Sequence, residues 1–101
     1  MFDKVRDRLS VDITGTSKSE SIIASLLDLE TALGVPTGKA TDSFAPEWIY
    51  LDQEGSIFCL YDHYNYSITE SATEKISWSI GSHVLSYKFK VFIQNKIGSM
   101  K

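Results

Sequence analysis

The residues with chemical potential in this 101-residue chain gather in its middle. Cys59, Asp62, His63 and His83 are metal-ligand types, and zinc would need three or four of them to converge. Asp62 and His63 are neighbours, so an extended backbone points them to opposite faces and a metal site would need a bend there. Cys59 and His83 have the composition of a nucleophile and its base. A reactive thiolate needs an electropositive, accessible setting, whereas Cys59 sits between Phe58 and Leu60, which argues for a buried, inert thiol. Asp52, Glu54 and Asp62 supply carboxylates for acid–base work, but Asp52 and Glu54 fall in a glycine-bearing turn, a poor place for the desolvation that raises a catalytic pKa. No Walker, GxGxxG, HExxH or GxSxG pattern occurs. The reading is a protein with no catalytic, metal or cofactor residues, and no enzyme.

Three patterns suit binding instead. In Ile80-Gly81-Ser82-His83, a glycine leaving a strand and a serine opening a helix would present free backbone N–H groups. With His83 and the lysine-rich tail, such a turn suits a phosphate or carboxylate. Trp48, Tyr50, Tyr61, Tyr64, Tyr66 and Trp78 form an aromatic group around one expected hairpin, able to stack on a base or a partner side chain. The stretch from Asp42 to Glu74 holds seven acids and no base, a strip that could occupy a basic groove on a partner.

These residues must be positioned by a small fold. The length implies one domain, residues 1–101, with one core. No apolar run approaches the ~20 residues of a membrane span. The opening MFDKVRDRLS is charged throughout, which is not expected of a secretory signal. The single cysteine permits no internal disulfide, so a reducing, cytoplasmic setting is expected. From Leu9 to Glu74 eleven acids face two bases, whereas Lys75 to Lys101 carries five lysines and no acid. An acidic middle repels nucleic-acid phosphates, and direct nucleic-acid binding is not expected.

Residues 18 to 33 are predicted as an amphipathic helix. Ile22, Leu26, Leu29 and Leu33 recur at helical spacing. Ser17 and Glu20 have the spacing of a capping box, and Gly34 with Pro36 ends the run. Phe2 to Leu9 suggests one or two further helical turns, and Val35 to Pro46 reads as a loop. Strands are predicted at about 47–51, 56–62 and 75–80, the first two joined as a hairpin across Asp52–Ser56. His63 to Glu74 reads as a loop above it. Ser82 to Ile97 fits either period, with the alternation of Tyr87, Phe89, Val91 and Ile93 slightly favouring a strand; the family resemblance below favours a helix, and a helix is the expectation. The expected architecture is α+β: an N-terminal helix on a three-stranded antiparallel sheet, followed by a C-terminal helix. Its core should hold Ile22, Leu26, Leu29, Leu33, Ile49, Leu51, Phe58, Leu60, Ile76, Trp78, Ile80 and Phe92.

Leu33-Gly34-x-Pro36 closing a helix, a strand from Trp48, Gly55 turning into Phe58-Cys59-Leu60-Tyr61-Asp62, and Trp78-Ser79-Ile80-Gly81-Ser82 together form a pattern. Over roughly residues 30 to 95 it resembles small uncharacterised bacteriophage accessory proteins. These carry a tryptophan strand, an Ile-Tyr-Asp-type strand end and a Trp-His-Ile-Gly-Gly-type segment before a last helix. Ser79 stands where that pattern has histidine, and Ser82 where it has the second glycine. The resemblance implies a non-enzymatic protein that blocks a host factor of antiviral defence, a nuclease or a CRISPR effector, by direct protein binding. An alternative is a sponge for a nucleotide second messenger or other small anion, a role usually filled by homo-oligomers. A small hydrolase is the third reading. The expected contact residues are Tyr61, Asp62, Trp78, Gly81, Ser82 and His83, with Asp52 and Glu54.

Overall fold

The computed structural model describes residues 2–6, 16–39, 45–62 and 71–99. Along the chain run β1 (Asp3–Lys4), β2 (Ser17–Ser25), α1 (Leu26–Leu33), β3 (Gly38–Lys39), β4 (Pro46–Leu51), β5 (Ile57–Tyr61), β6 (Lys75–Ser82) and α2 (Tyr87–Gly98). The strands form one antiparallel sheet in the order β1-β4-β5-β6-β2, with β3 also pairing with β4. The fold is α+β, as expected, with more strands than expected.

The three predicted strands occur close to their predicted bounds. Each combines a β-rich run with a local stop: the Asp52–Ser56 turn between β4 and β5, and a polar turn ahead of β6. Alternation then divides their side chains. Trp48, Tyr50, Phe58, Leu60, Ile76, Trp78 and Ile80 face the helices and form the main core with Leu29, Leu33, Phe89 and Ile93. Val5, Ile49 and Cys59 form a second, smaller cluster, flanked by Leu51, Ile57 and Tyr61. Both sheet faces therefore carry buried side chains, which is why β4 and β5 lack a clean apolar–polar alternation. Of the expected core, Leu26, Leu51 and Phe92 are only half-buried.

The predicted helix over residues 18–33 is half strand. Ser17–Ser25 pairs with β6, setting Ile22 opposite Trp78 and Ala24 opposite Ile76. Four serines and two isoleucines in that segment are poor helix formers, and Ile22 and Ala24 are buried while Ile23 is exposed, a two-residue period. The helix begins at a different cap from the one expected at Ser17 and Glu20. Ser25 Oγ accepts from the Asp28 N–H at 3.0 Å, and the Ser25 N–H donates to Asp28 Oδ2 at 3.3 Å, closing a capping box one turn before Leu29. Gly34 ends the helix at a φ of 79°, a backbone region that favours glycine.

Two further expectations are corrected at the N-terminal side. Asp3 and Lys4 are strand rather than helix and pair with Leu51 and Tyr50; residues 7–9 lie outside the described residues. The Val35–Pro46 loop contains β3, which pairs with Glu47 and Pro46. β1 and β3 thus lie end to end along one edge of β4. Thr37 joins them: its Oγ1 donates to the Val5 carbonyl at 2.6 Å and accepts from the Ile49 N–H at 3.0 Å. Residues 63–70 of the predicted His63–Glu74 loop also fall outside the described residues.

The C-terminal segment is a helix, as expected, but a shorter one. β6 runs through Ser82 and α2 starts at Tyr87 after the cap residue Ser86. Phe89 and Ile93 supply its buried side. The Ser86 hydroxyl is hydrogen-bonded to Ser19 on β2, and Lys90 approaches Glu20 at 3.8 Å, so α2 lies across the β2 end of the sheet.

Candidate functional site

The residues expected to form one contact site are only partly brought together: Tyr61 meets Gly81, while Trp78 lies in the core and Asp52 in its own turn. Trp78 is fully buried on the helix face of β6, with its indole N–H donating to the Ala24 carbonyl at 3.0 Å. Tyr61 stands opposite Ser79 and points to the other face of the sheet, with the smaller cluster. A clamp closing between Tyr61 and Trp78 is therefore not formed. Tyr61 lies instead against Gly81: a Cβ placed there would come within 3.3 Å of its ring, so the glycine permits a close approach. Burial, then the charges of Cys59 and Glu47, pushes the Tyr61 hydroxyl above its ordinary pKa. Asp62 is buried beside it at the strand end.

Gly81 and Ser82 belong to β6, between Lys18 and Ser17 of β2 and Cys59 and Phe58 of β5. Their backbone takes part in two ladders rather than opening a helix, and Ser82 Oγ bonds to the Val84 carbonyl. The expected nest of free N–H groups is thus absorbed by the sheet. His83 is exposed just beyond. Phe58 pairs with Ser82, and Asp62 lies four residues further along the chain, just past the end of β5. At about 3.3 Å per residue that separates Asp62 from the His83 end by roughly 13 Å.

Asp52 and Glu54 occupy the β4–β5 turn. Asp52 Oδ1 accepts from the N–H groups of Glu54 at 2.9 Å and Ser56 at 2.8 Å, so this carboxylate shapes the turn. Glu54 is exposed. Glu47 and Asp62 are buried, only 4% and 3% exposed, and Glu74 precedes β6 at the far end of the sheet. Among the described residues the acidic stretch does not form one surface. Asp42, His63, Tyr64, Tyr66 and Glu70 lie outside them. No group of three or more His, Cys, Asp or Glu able to hold a metal occurs among the described residues, and Cys59 is buried.

The expected aromatic group does not assemble as one cluster: Tyr61 lies on the other face of the sheet from Trp48, Tyr50 and Trp78. Trp48 and Tyr50 are core residues. Phe2 meets Phe58, Phe89 and Phe92 at centroid distances of 5.3, 5.3 and 5.0 Å. This cluster reaches the surface along α2. There an open groove of about 580 Å³ is floored by Phe2, Val91 and Phe92 and edged by Lys88, Asn95 and Lys96. Lys96 Nζ stands 5.5 Å above the Phe92 ring, a cation–π distance. Lys88 and Lys96 are both exposed.

Comparison with protein-family models, with curated proteins and with solved structures finds no match for this chain. The groove is therefore read from its own chemistry. Its floor is apolar and aromatic, its rim is cationic, and no carboxylate lines it among the described residues. Such a surface is complementary in charge and polarity to an anionic group attached to an apolar body. The sequence carried one sign of it, the excess of lysine after residue 75. Phe2 could not be placed there from the sequence, because its contacts with Phe89 and Phe92 span almost the whole chain. No helix among the described residues is long and apolar enough to cross a membrane.

Proposed function

We propose that the protein acts without catalysis, as an inhibitor that binds a partner protein directly, and that the α2 groove is its contact surface. The observation that carries this reading is the aromatic floor of Phe2 and Phe92 set between Lys88 and Lys96. An amphipathic helix with an apolar stripe and acidic flanks fits such a groove in both shape and charge. The contact thus moves from the acidic stretch to the basic helix. The separation of Asp62 from His83, and the use of Asp52 within its own turn, support a role in binding. The resemblance to phage accessory proteins supports a target in the bacterial cytoplasm: an antiviral-defence factor, a nuclease or a CRISPR effector.

The test uses two labelled synthetic helices with one Leu/Phe stripe, flanked by glutamates in one and lysines in the other. Fluorescence anisotropy should show saturable binding of the acidic peptide and none of the basic one. Lys88→Glu with Lys96→Glu should weaken it at least about tenfold, or ~1.4 kcal/mol, while the melting temperature holds because both side chains are exposed. Equal binding of both peptides, or full binding by the double variant, would remove the groove from consideration.

A second reading, sequestration of a small anionic nucleotide, is favoured by the placing of Lys96 over Phe92, an aromatic face beside an ammonium group. A thermal-shift panel of cyclic di- and trinucleotides separates the two. A ligand of the folded state adds ~2.7 kcal/mol of stability at a hundred times its Kd. A shift abolished by Lys96→Glu would favour the nucleotide over the protein partner.

A further inference from the structure

The two edges of the sheet are treated differently. One edge is made of the two-residue strands β1 and β3, set end to end along β4 with the Thr37 hydroxyl filling the gap between them. The other edge is β2, nine residues long, and among the described residues no strand pairs with its outer side. An open edge presents a row of unpaired backbone groups, and proteins usually blunt it with charge, proline or a bulge. β2 is blunted over one half only. Lys18 and Glu20 lie there, with a register irregularity between them. The other half, Ser21-Ile22-Ile23-Ala24-Ser25, is regular, uncharged and free of proline.

The midpoint of that unprotected half is Ile23, which is 66% exposed. We propose that β2 pairs antiparallel with β2 of a second copy of this chain, about a two-fold axis at Ile23, joining the two sheets into one. Residues opposed in an antiparallel pair point to the same face. A two-fold axis normal to the sheet must therefore fall on a residue, and Ile23 is the residue that centres the unprotected half. In this register Ile23 meets its own copy, Ile22 stands opposite Ala24, and Ser21 stands opposite Ser25. No like charges are opposed.

The same register explains a second set of exposed apolar side chains. Leu27 is 50% exposed at the start of α1, and Leu85 and Tyr87 are 92% and 67% exposed at the start of α2. Ser86 is bonded to Ser19, so Leu85 and Tyr87 lie beside Ser19 on β2. Four residues beyond the axis, Leu27 of one copy comes level with Ser19 of the other. The axis keeps the helices of both copies on one side of the joined sheet, so Leu27 is carried toward the partner copy's Leu85 and Tyr87, twice by symmetry. An isologous interface has this self-complementary form.

Light scattering over a dilution series should show a mass above the 11.3 kDa of one chain that falls with dilution. Ile23→Lys and, separately, Leu85→Asp should each raise the dimer dissociation constant at least about tenfold, with unchanged circular dichroism and melting in the monomer. Register is read by cysteine cross-linking. Ile23→Cys should give a disulfide-linked dimer on mild oxidation, because opposed residues lie within about 4.5–5.5 Å. Val35→Cys, also exposed, should not, and the buried Cys59 of the unsubstituted chain provides the background. A mass of one chain at every concentration, or equal cross-linking through positions 23 and 35, would overturn the proposal.

Discussion

Trp48 and Trp78 meet edge to face, with ring centroids 5.9 Å apart and an interplanar angle of 73°. Their indole N–H groups bracket the first helix: Trp78 donates to the Ala24 carbonyl at 3.0 Å, two residues before α1, and Trp48 donates to the Gly34 carbonyl at 3.1 Å, just after it. One aromatic pair on the sheet thus ties down both ends of α1. Replacing either tryptophan with phenylalanine removes one of these bonds and leaves a void. Each change should cost about 2–3 kcal/mol in urea unfolding. Because the rings touch, the double variant should depart from the sum of the single losses.

Thr37 holds the seam between β1 and β3. Thr37→Val keeps the shape but leaves the Val5 carbonyl and the Ile49 N–H without the hydroxyl, so a loss of roughly 1–3 kcal/mol is expected. Thr37→Ser retains the hydroxyl and should recover most of it. Chemical denaturation of the three proteins measures the difference; equal losses in both variants would show that packing of the threonine methyl matters more.

Tyr50 is buried between Phe89 and Phe92, and burial pushes its hydroxyl up to about 12. The folded state therefore keeps a proton that the unfolded state releases near 10. The resulting stability is complete below pH 10 and is lost as the pH rises toward 12, to the extent of about 2 kcal/mol. Tyr50→Phe has no such proton to lose. Its stability should fall less steeply than that of the parent protein over this window, as read from melting temperature against pH.

Asp28 titrates at the acid end. The hydrogen bond from Lys75 at 3.0 Å, followed by that from the Ser25 N–H, holds its carboxyl below the ordinary 3.8. A lowered folded pKa gives stability that is present above the unfolded value and lost as the pH falls through the folded one. The melting temperature of the parent protein should therefore exceed that of Asp28→Asn near neutrality, and the gap should narrow below pH ~4. A gap that persists under acid would assign the effect to geometry rather than to charge.

The hairpin and β6 were legible in the amino-acid order because their signals are local: two β-rich runs around Asp52–Ser56 and the alternation of Ile76, Trp78 and Ile80. The end of α1 at Gly34 was legible for the same reason. The segment from Ser17 to Ser25 was not. Ile22 belongs equally to the helical series with Leu26 and Leu29 and to the strand series with Ala24. Pairing with β6, more than fifty residues away, decides between them, and no local spacing records that partner. The acidic stretch shows the same division. Its charges are plain in the sequence, but two of them, Glu47 and Asp62, are buried at the end of the β4–β5 ladder, and only the folded sheet reveals it. Composition and short-range period determined the α+β class, the hairpin and the basic character of the C-terminal segment. The lack of clean alternation in the two hairpin strands also pointed to cover on both sheet faces, and the burial of Trp48 on one face and Ile49 on the other agrees. The strand at the open edge and the groove built from Phe2 and α2 were decided by tertiary structure. Each joins residues distant in sequence, and burial and pairing are properties of neighbours in space.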